Sequence, residues 1–297
     1  MRAYVTGGSG FVGGWLSAHL EAAGDDVVST DAEVDVTDAA AVAASMSASA
    51  PDVVYHLAAL AHVGRSWSAP AETFRVNACG TLQVLEAAAG CEVPPAVVVV
   101  SSAEVYGHGA GAEPLTEHAE LRPVTPYAAS KVAAEYLGLQ AWLGRGLRVF
   151  RVRPFNHVGP GQSPEFVVPA LARRIAEAEL AGGAPVRVGN LEASRDFTDV
   201  RDVVRAYRLV AERGEPGEVY NVASGVTVSI AEVARQLCGL ATAKIELVPD
   251  PALLRPVDVP VFVGDSARLR ATTGWEPEIP FNTTLADMLD HWRTRLG

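Results

Sequence analysis

Residues 3–13 read Ala3-Tyr4-Val5-Thr6-Gly7-Gly8-Ser9-Gly10-Phe11-Val12-Gly13. The first three form a short buried strand, and an apolar helical run through Leu16 and Leu20 follows the glycines and ends near Gly24. Glycines at 7, 10 and 13 permit a tight turn, close approach of backbone to a pyrophosphate, and close helix–strand packing, with the anion on the helix N-terminus. Such glycine patterns are common. The surroundings give this one meaning: a strand before it, a helix after it, and a second strand, Asp26-Val27-Val28-Ser29, beyond. Gly7, Gly10, Phe11 and Val12 are therefore expected to lie against a dinucleotide.

The second strand ends at Thr30-Asp31, where a carboxylate can accept from the adenosine ribose hydroxyls and repel a 2′-phosphate. No Lys or Arg occurs between Arg2 and Arg65, so NAD(H) is favoured, with NADP(H) as the alternative. Asp35 and Val36 reach the adenine edge, or else form a solvated loop before a helix capped by Asp38. A third strand from Val53 runs into Leu57-Ala58-Ala59, small enough for backbone to touch a cofactor. A helix from about Glu72 to Ala89 and a valine strand, Ala96 to Val100, come next. The valines suit a strand buried on both faces. Ser101-Ser102-Ala103-Glu104 stands at its carboxyl end, where open α/β sheets bind ligands.

Pro126 suits the first turn of a further helix, which carries Tyr127-Ala128-Ala129-Ser130-Lys131. Residues four apart share a helix face, so a phenol and an ammonium point the same way. A nearby cation favours the phenolate, which suits proton exchange with a hydroxyl or carbonyl. Of 24 basic residues only two are Lys, Lys131 and Lys244. The strand–helix alternation predicts an α/β fold with a doubly wound parallel sheet over residues 1–152. Residues 153–297 are more loop-rich and are expected to form a smaller substrate-binding α/β lobe, with some elements returning to the first sheet and a cleft between the two.

The 297 residues are 49% hydrophobic with a net charge of −11. That charge opposes a nucleic-acid surface, and no apolar run reaches membrane-helix length. The N-terminus enters a strand without a signal-peptide pattern, so a cytoplasmic location is expected. Cys79, Cys91 and Cys238 lack metal spacing, and no metal is expected. His56 and His62 read as structural.

With the glycine loop, strand-end Ser102 and Tyr127-x-x-x-Lys131 in this order, the chain resembles the extended short-chain dehydrogenases/reductases. The resemblance implies that Tyr127 exchanges a proton with a substrate oxygen, Lys131 holds the nicotinamide ribose and lowers the Tyr127 pKa, and Ser102 hydrogen-bonds the reacting group. Phe155 and His157 join the implied cofactor contacts. Arg153-Pro154-Phe155-Asn156-His157, Gly189 to Phe197, and Leu254-Arg255-Pro256-Val257-Asp258 are similar to the GDP-mannose branch. Asn156, Arg195, Arg255 and Asp258 are implied contacts of a GDP-linked sugar, with Arg173 and Arg187 weaker candidates. Within that branch Glu104 fits the residue that takes the C5 proton in 4,6-dehydratases, but reductases of 4-keto-6-deoxy sugars tend to carry it as well. The absence of Arg between Asp31 and Asp35, and the run Gly159-Pro160-Gly161-Gln162-Ser163, resemble the reductase more closely. The expectation is reduction of a C4 ketone to give GDP-D-rhamnose, with the 4,6-dehydratase, a related epimerase, or a non-catalytic cofactor-binding regulator as alternatives. Relatives imply a homodimer or a dimer of dimers.

Overall fold

A computed structural model describes residues 1–109, 111, 113–253 and 259–297. The first half runs β1 (Arg2–Thr6), α1 (Phe11–Ala22), β2 (Asp26–Thr30), α2 (Ala39–Ser49), β3 (Val53–His56), α3 (Val63–Ser66) and α4 (Pro70–Phe74). A π-helical turn (Arg75–Cys79) follows, then α5 (Gly80–Ala89), β4 (Ala96–Val100), a 3-10 turn (Ala103–Tyr106), α6 (Pro126–Arg145) and β5 (Val149–Pro154). The second half comprises β6 (Asn156–Val158), α7 (Val167–Leu180), β7 (Val186–Val188), β8 (Ser194–Asp199), α8 (Val200–Arg213) and β9 (Val219–Val222). It ends with β10 (Thr227–Ser229), α9 (Ile230–Leu240), β11 (Leu247–Pro249), β12 (Val261–Phe262), α10 (Ala267–Thr273) and α11 (Phe281–Leu296).

Six parallel strands form the main sheet in the order β2-β1-β3-β4-β5-β9. Winding reverses between β1 and β3, which opens a crevice at their carboxyl ends. Thr6 pairs in register with Thr30 on one side and His56 on the other. The loops beginning at Gly7, Asp31 and Leu57 therefore emerge side by side.

The alternating side chains of β4 feed two cores, as the valine run predicts. Val98 packs with Leu16 and Leu20 of α1 and Val203 and Tyr207 of α8. Val97 and Val99 pack with Val42 and Met46 of α2, Val84 and Leu85 of α5, and Ala141 of α6. A separate core joins Leu171 and Ile175 of α7, Val233 and Leu237 of α9, and Leu285 and Leu289 of α11. From the second half, α8 and β9 belong to the main sheet and its helical layer.

Several local features depart from the sequence expectation. The helix predicted over 72–89 is α4, the π turn and α5 in series. The strand predicted to end at Val152 continues to Pro154, because its two arginines are buried against a partner on α6. Arg153 donates twice to Glu135, at 2.9 Å and 2.5 Å, and Arg151 once at 3.4 Å. Arg153 also donates to the Tyr106 hydroxyl at 2.8 Å, which in turn donates to Asn221 Oδ1 at 2.7 Å. His56 sits between Thr6 Oγ1 and Thr81 Oγ1. Thr81 spends its proton on the Asn77 carbonyl, so His56 donates from Nε2 and accepts at Nδ1; burial holds its pKa down at about 3. No described helix is long and apolar enough to cross a membrane. Among the described residues no group of three or more His, Cys, Asp or Glu could hold a metal.

Glu135 is wholly buried and neutralises two buried guanidinium groups. Removing one partner of a buried ion pair leaves an uncompensated charge, at a cost of about 3–5 kcal/mol. Glu135→Leu is expected to lose that much stability in thermal or urea unfolding, and a loss below about 1 kcal/mol would show that the network contributes little.

Candidate active site

The helix α6 begins where its sequence dictates. Thr125 caps it by accepting from Ala128 N at 3.0 Å, and Pro126 occupies the first turn. Tyr127 and Lys131 are both buried, one turn apart on the face toward β4. The Lys131 ammonium donates to the Val100 carbonyl at 2.9 Å. On the same helix Ser130 accepts from Asn77 at 2.9 Å, and Asn77 also exchanges two hydrogen bonds with the backbone of Leu60. A side chain in the π turn thus pins both α6 and the loop after β3.

Ser102 caps the 3-10 turn, accepting from Glu104 N at 3.2 Å, and lies within hydrogen-bonding reach of Tyr127. Burial pushes the Tyr127 phenol up to about 12, opposed by the Ser102 hydrogen bond and reinforced by the Glu104 charge. Burial also lowers Lys131 to about 8. Desolvation of the phenolate is the largest effect on Tyr127, and the group that opposes it is Ser102 and not Lys131.

Ser102, Glu104, Tyr127 and Lys131 line a cleft of about 810 Å³, a size typical of ligand sites. Gly7, Gly10, Phe11, Val12, Asp31, Asp35, Val36, Leu57, Ala58 and Ala59 line the same cleft, as do Phe155, Asn156 and His157. Each residue expected at the cofactor therefore faces the same space. The loop is shaped for close approach. Gly7 has φ +71, and a Cβ there would stand 2.8 Å from Ala58 N; a Cβ on Gly13 would stand 2.2 Å from Gly7 O. Asp31 accepts from Ser9 N at 2.9 Å and from the Ser9 hydroxyl, so its carboxylate is held at the edge of the glycine loop. Phe11 stacks on His157 with ring centres 6.3 Å apart, and burial keeps the His157 pKa low. A glycine cradle, a carboxylate at the second strand and an ammonium beside a phenol together fit a nicotinamide dinucleotide.

The substrate expectations fare unevenly. Asn156 faces the cleft. Arg195 does not line it, and donates to the carbonyls of Ser194 and Val259 at 2.9 Å and 2.7 Å. Arg173 pairs with Glu177 at 2.7 Å one turn along α7 and lies over the Trp292 ring, and it does not line the cleft. Arg187 pairs with Asp250 and is 77% exposed. Arg255 and Asp258 lie outside the described residues.

Two residues escaped the sequence reading. Asn77 sits in a helix whose periodicity conceals the π turn. Arg75 comes from the same turn and donates to the Thr37 hydroxyl. The Thr37 backbone N–H, then its hydroxyl, and the Arg75 charge hold Asp35 below the usual carboxylate range. A cation therefore does approach the adenosine end, although none is near it in sequence.

A family model described as GDP-mannose 4,6 dehydratase matches residues 30–288. The GDP-6-deoxy-D-mannose reductase of Pseudomonas aeruginosa is 39% identical over 299 residues, covering 99% of this chain and 98% of that protein. The structure of RMD from Pseudomonas aeruginosa complexed with NADPH superposes with a TM-score of 0.92 at 38% identity, over 99% of both chains. The GDP-mannose 4,6-dehydratase of Sinorhizobium fredii is 29% identical over 276 residues, 86% of this chain and 78% of that protein. The family model covers more than half of the chain and the two Pseudomonas matches nearly all of it, and the chain belongs to the GDP-mannose 4,6-dehydratase family of extended short-chain dehydrogenases/reductases.

Proposed function

We propose that the protein reduces the C4 ketone of a GDP-linked 4-keto-6-deoxy-mannose, giving GDP-D-rhamnose. The observation that carries this reading is that Ser102, Tyr127 and Lys131 line the same cleft as the glycine loop. The 39% identity to a GDP-6-deoxy-D-mannose reductase supports the choice of substrate class. A bound nicotinamide dinucleotide would supply hydride to C4. The protein supplies the rest. Ser102 hydrogen-bonds the ketone oxygen and polarises it, Tyr127 gives that oxygen its proton, and Lys131 holds positive charge beside the phenolate left behind.

Protonation states agree with the reductive direction. A phenol raised to about 12 is fully protonated at neutral pH and ready to act as an acid. Glu104 on the cleft wall favours a second reading, the 4,6-dehydratase, in which a carboxylate removes the C5 proton.

The cofactor is read as NAD(H) in preference to NADP(H). Asp31, held on the glycine loop by Ser9, occupies the place of the ribose hydroxyl acceptor and repels a 2′-phosphate. Arg75, paired with Glu72 at 2.8 Å, is a cation that reaches this end through Thr37. It is the group that would admit NADPH, the ligand of the Pseudomonas structure.

Three outcomes follow from this arrangement. Tyr127→Phe is expected to lower kcat by about 10²–10⁴ with cofactor affinity nearly unchanged; equal losses in rate and in cofactor binding would contradict the proton-donor role. Asp31→Ala is expected to raise the kcat/KM ratio of NADPH over NADH by about tenfold, the effect of roughly 1.4 kcal/mol, and an unchanged ratio would remove Asp31 from cofactor choice. Lys131 titrates near 8 when folded against an ordinary 10.5, so its buried charge opposes folding fully below pH 8 and progressively less as pH rises toward 10.5. Without cofactor, Lys131→Met should be more stable than the parent by about 1–3 kcal/mol at pH 7, with the advantage vanishing near pH 10.5. A gap constant with pH would show that the ammonium is not desolvated.

A further inference from the structure

His56 ends β3, an inner strand of the main sheet, and takes no part in the proposed chemistry. It is the middle link of a hydrogen-bonded chain whose members all point the same way. The Ala58 N–H donates to Thr6 Oγ1 at 3.2 Å, and that hydroxyl donates to His56 Nδ1 at 2.8 Å. His56 Nε2 donates to Thr81 Oγ1 at 3.0 Å, and Thr81 donates to the Asn77 carbonyl at 2.6 Å. Thr6, His56, Asn77 and Thr81 are all buried. A neutral imidazole accepts at one nitrogen and donates from the other, so it joins two hydroxyls head to tail. Burial keeps the ring neutral.

Both ends of the chain hold the loop after β3. Ala58 lies in that loop, and Asn77 takes Leu60 by its N–H at 2.7 Å and by its carbonyl at 3.2 Å. Leu57, Ala58, Ala59 and Leu60 all line the cleft. Asn77 also donates to Ser130 Oγ at 2.9 Å, and Ser130 donates to the Tyr127 carbonyl at 2.7 Å. The loop and α6 thus hang from one frame. The frame also gives the π turn a purpose. There the Gly80 N–H bonds Arg75 O, five residues back, a rare arrangement that concentrates at functional sites. Asn77 lies inside that turn, and the Thr81 hydroxyl ties its carbonyl to His56. A fully satisfied buried network of this kind is rigid.

We infer that His56 is a positioning residue, which through Thr6 on one side and Thr81 on the other sets the cleft-lining loop 57–60 against the helix that carries Tyr127. The inference rests on the proposed function. In that reaction hydride goes to C4 and a proton to its oxygen, so the cofactor and the phenol must meet one carbonyl group from two separate elements. Rates are sensitive to small misplacements of such groups, even when the change lies far from the chemistry. The frame through His56 fixes the separation of the two elements.

Single-turnover mixing separates position from folding. The whole protein, loaded with saturating reduced dinucleotide, is mixed with saturating GDP-4-keto-6-deoxy-mannose. The rate constant of cofactor oxidation reports the geometry of the working site, and the amplitude counts the sites that work. Thr81→Val removes the hydroxyl that joins His56 to Asn77, and should lower the rate constant about tenfold while the amplitude stays at the parent level. Thr81→Ser keeps the hydroxyl and should restore the rate constant to within about threefold of the parent. His56→Leu should be slowed like Thr81→Val, and the Thr81 pair decides the matter if that variant does not fold. A Thr81→Val rate constant within about twofold of the parent, whatever its amplitude, would show that the frame only supports the fold and would overturn the inference. Thr81→Ser as slow as Thr81→Val would overturn it also. A parent protein that does not oxidise the cofactor would remove the proposed function and this inference with it, whereas an active parent with unslowed variants removes the inference alone.

Discussion

The hydrogen bond from the Lys131 ammonium to the Val100 carbonyl ties α6 to the end of the central strand at 2.9 Å. The rest of the site depends on that distance. Tyr127 stands one turn before Lys131, so fixing Lys131 on β4 brings the phenol beside Ser102, two residues beyond the strand. Two further ties keep the helix from sliding. Asn77 grips Ser130 from the π turn, and Glu135 grips Arg153 on the neighbouring strand. Arg153 then reaches Tyr106, at the end of the 3-10 turn that Ser102 caps. Helix, strand end and turn form one hydrogen-bonded frame, buried almost throughout.

That burial carries an electrostatic cost which the chemistry uses. A desolvated ammonium is less stable than a hydrated one, and a desolvated phenol holds its proton more firmly. For an enzyme that must deliver a proton to an alkoxide-like oxygen, a firmly held phenolic proton is the appropriate resting state. In the proposed reaction the positive charge of Lys131 becomes favourable as negative charge develops on the phenolate, when stabilisation accelerates the reaction rather than merely tightening binding.

The parts of the structure legible in the sequence were those set by short-range chemistry. The glycine loop, the valine strand, Pro126 at a helix start and the Tyr127–Lys131 spacing each depend on a few consecutive residues, and each stands where the sequence places it. The parallel sheet followed from their alternation. Contacts made through space were not legible. Arg75 lies far in sequence from the adenosine end of the cleft, yet meets Thr37 there, so an argument from the absence of local cations was incomplete. Asn77 gave no sign of its role because a single π turn of five residues is too short to stand out in the apolar pattern of the helices around it. Arginine type alone also could not show that Arg173 pairs with Glu177 along a helix, since ion pairs and ligand contacts exploit the same planar cation. Short strands of the second half, such as β6 and β10, carry too few residues for a periodic signal and are set by pairing with β8.

The central claim is that the protein reduces a ketone and does not also remove water. The most direct test pairs two incubations of the purified protein. In one it receives GDP-4-keto-6-deoxy-mannose with reduced cofactor, in the other GDP-mannose with none added. The account predicts stoichiometric oxidation of the cofactor and a new C4 hydroxyl in the first, and unchanged GDP-mannose in the second. A 4-keto-6-deoxy product from GDP-mannose, with the ketone left unreduced in the first incubation, would contradict it.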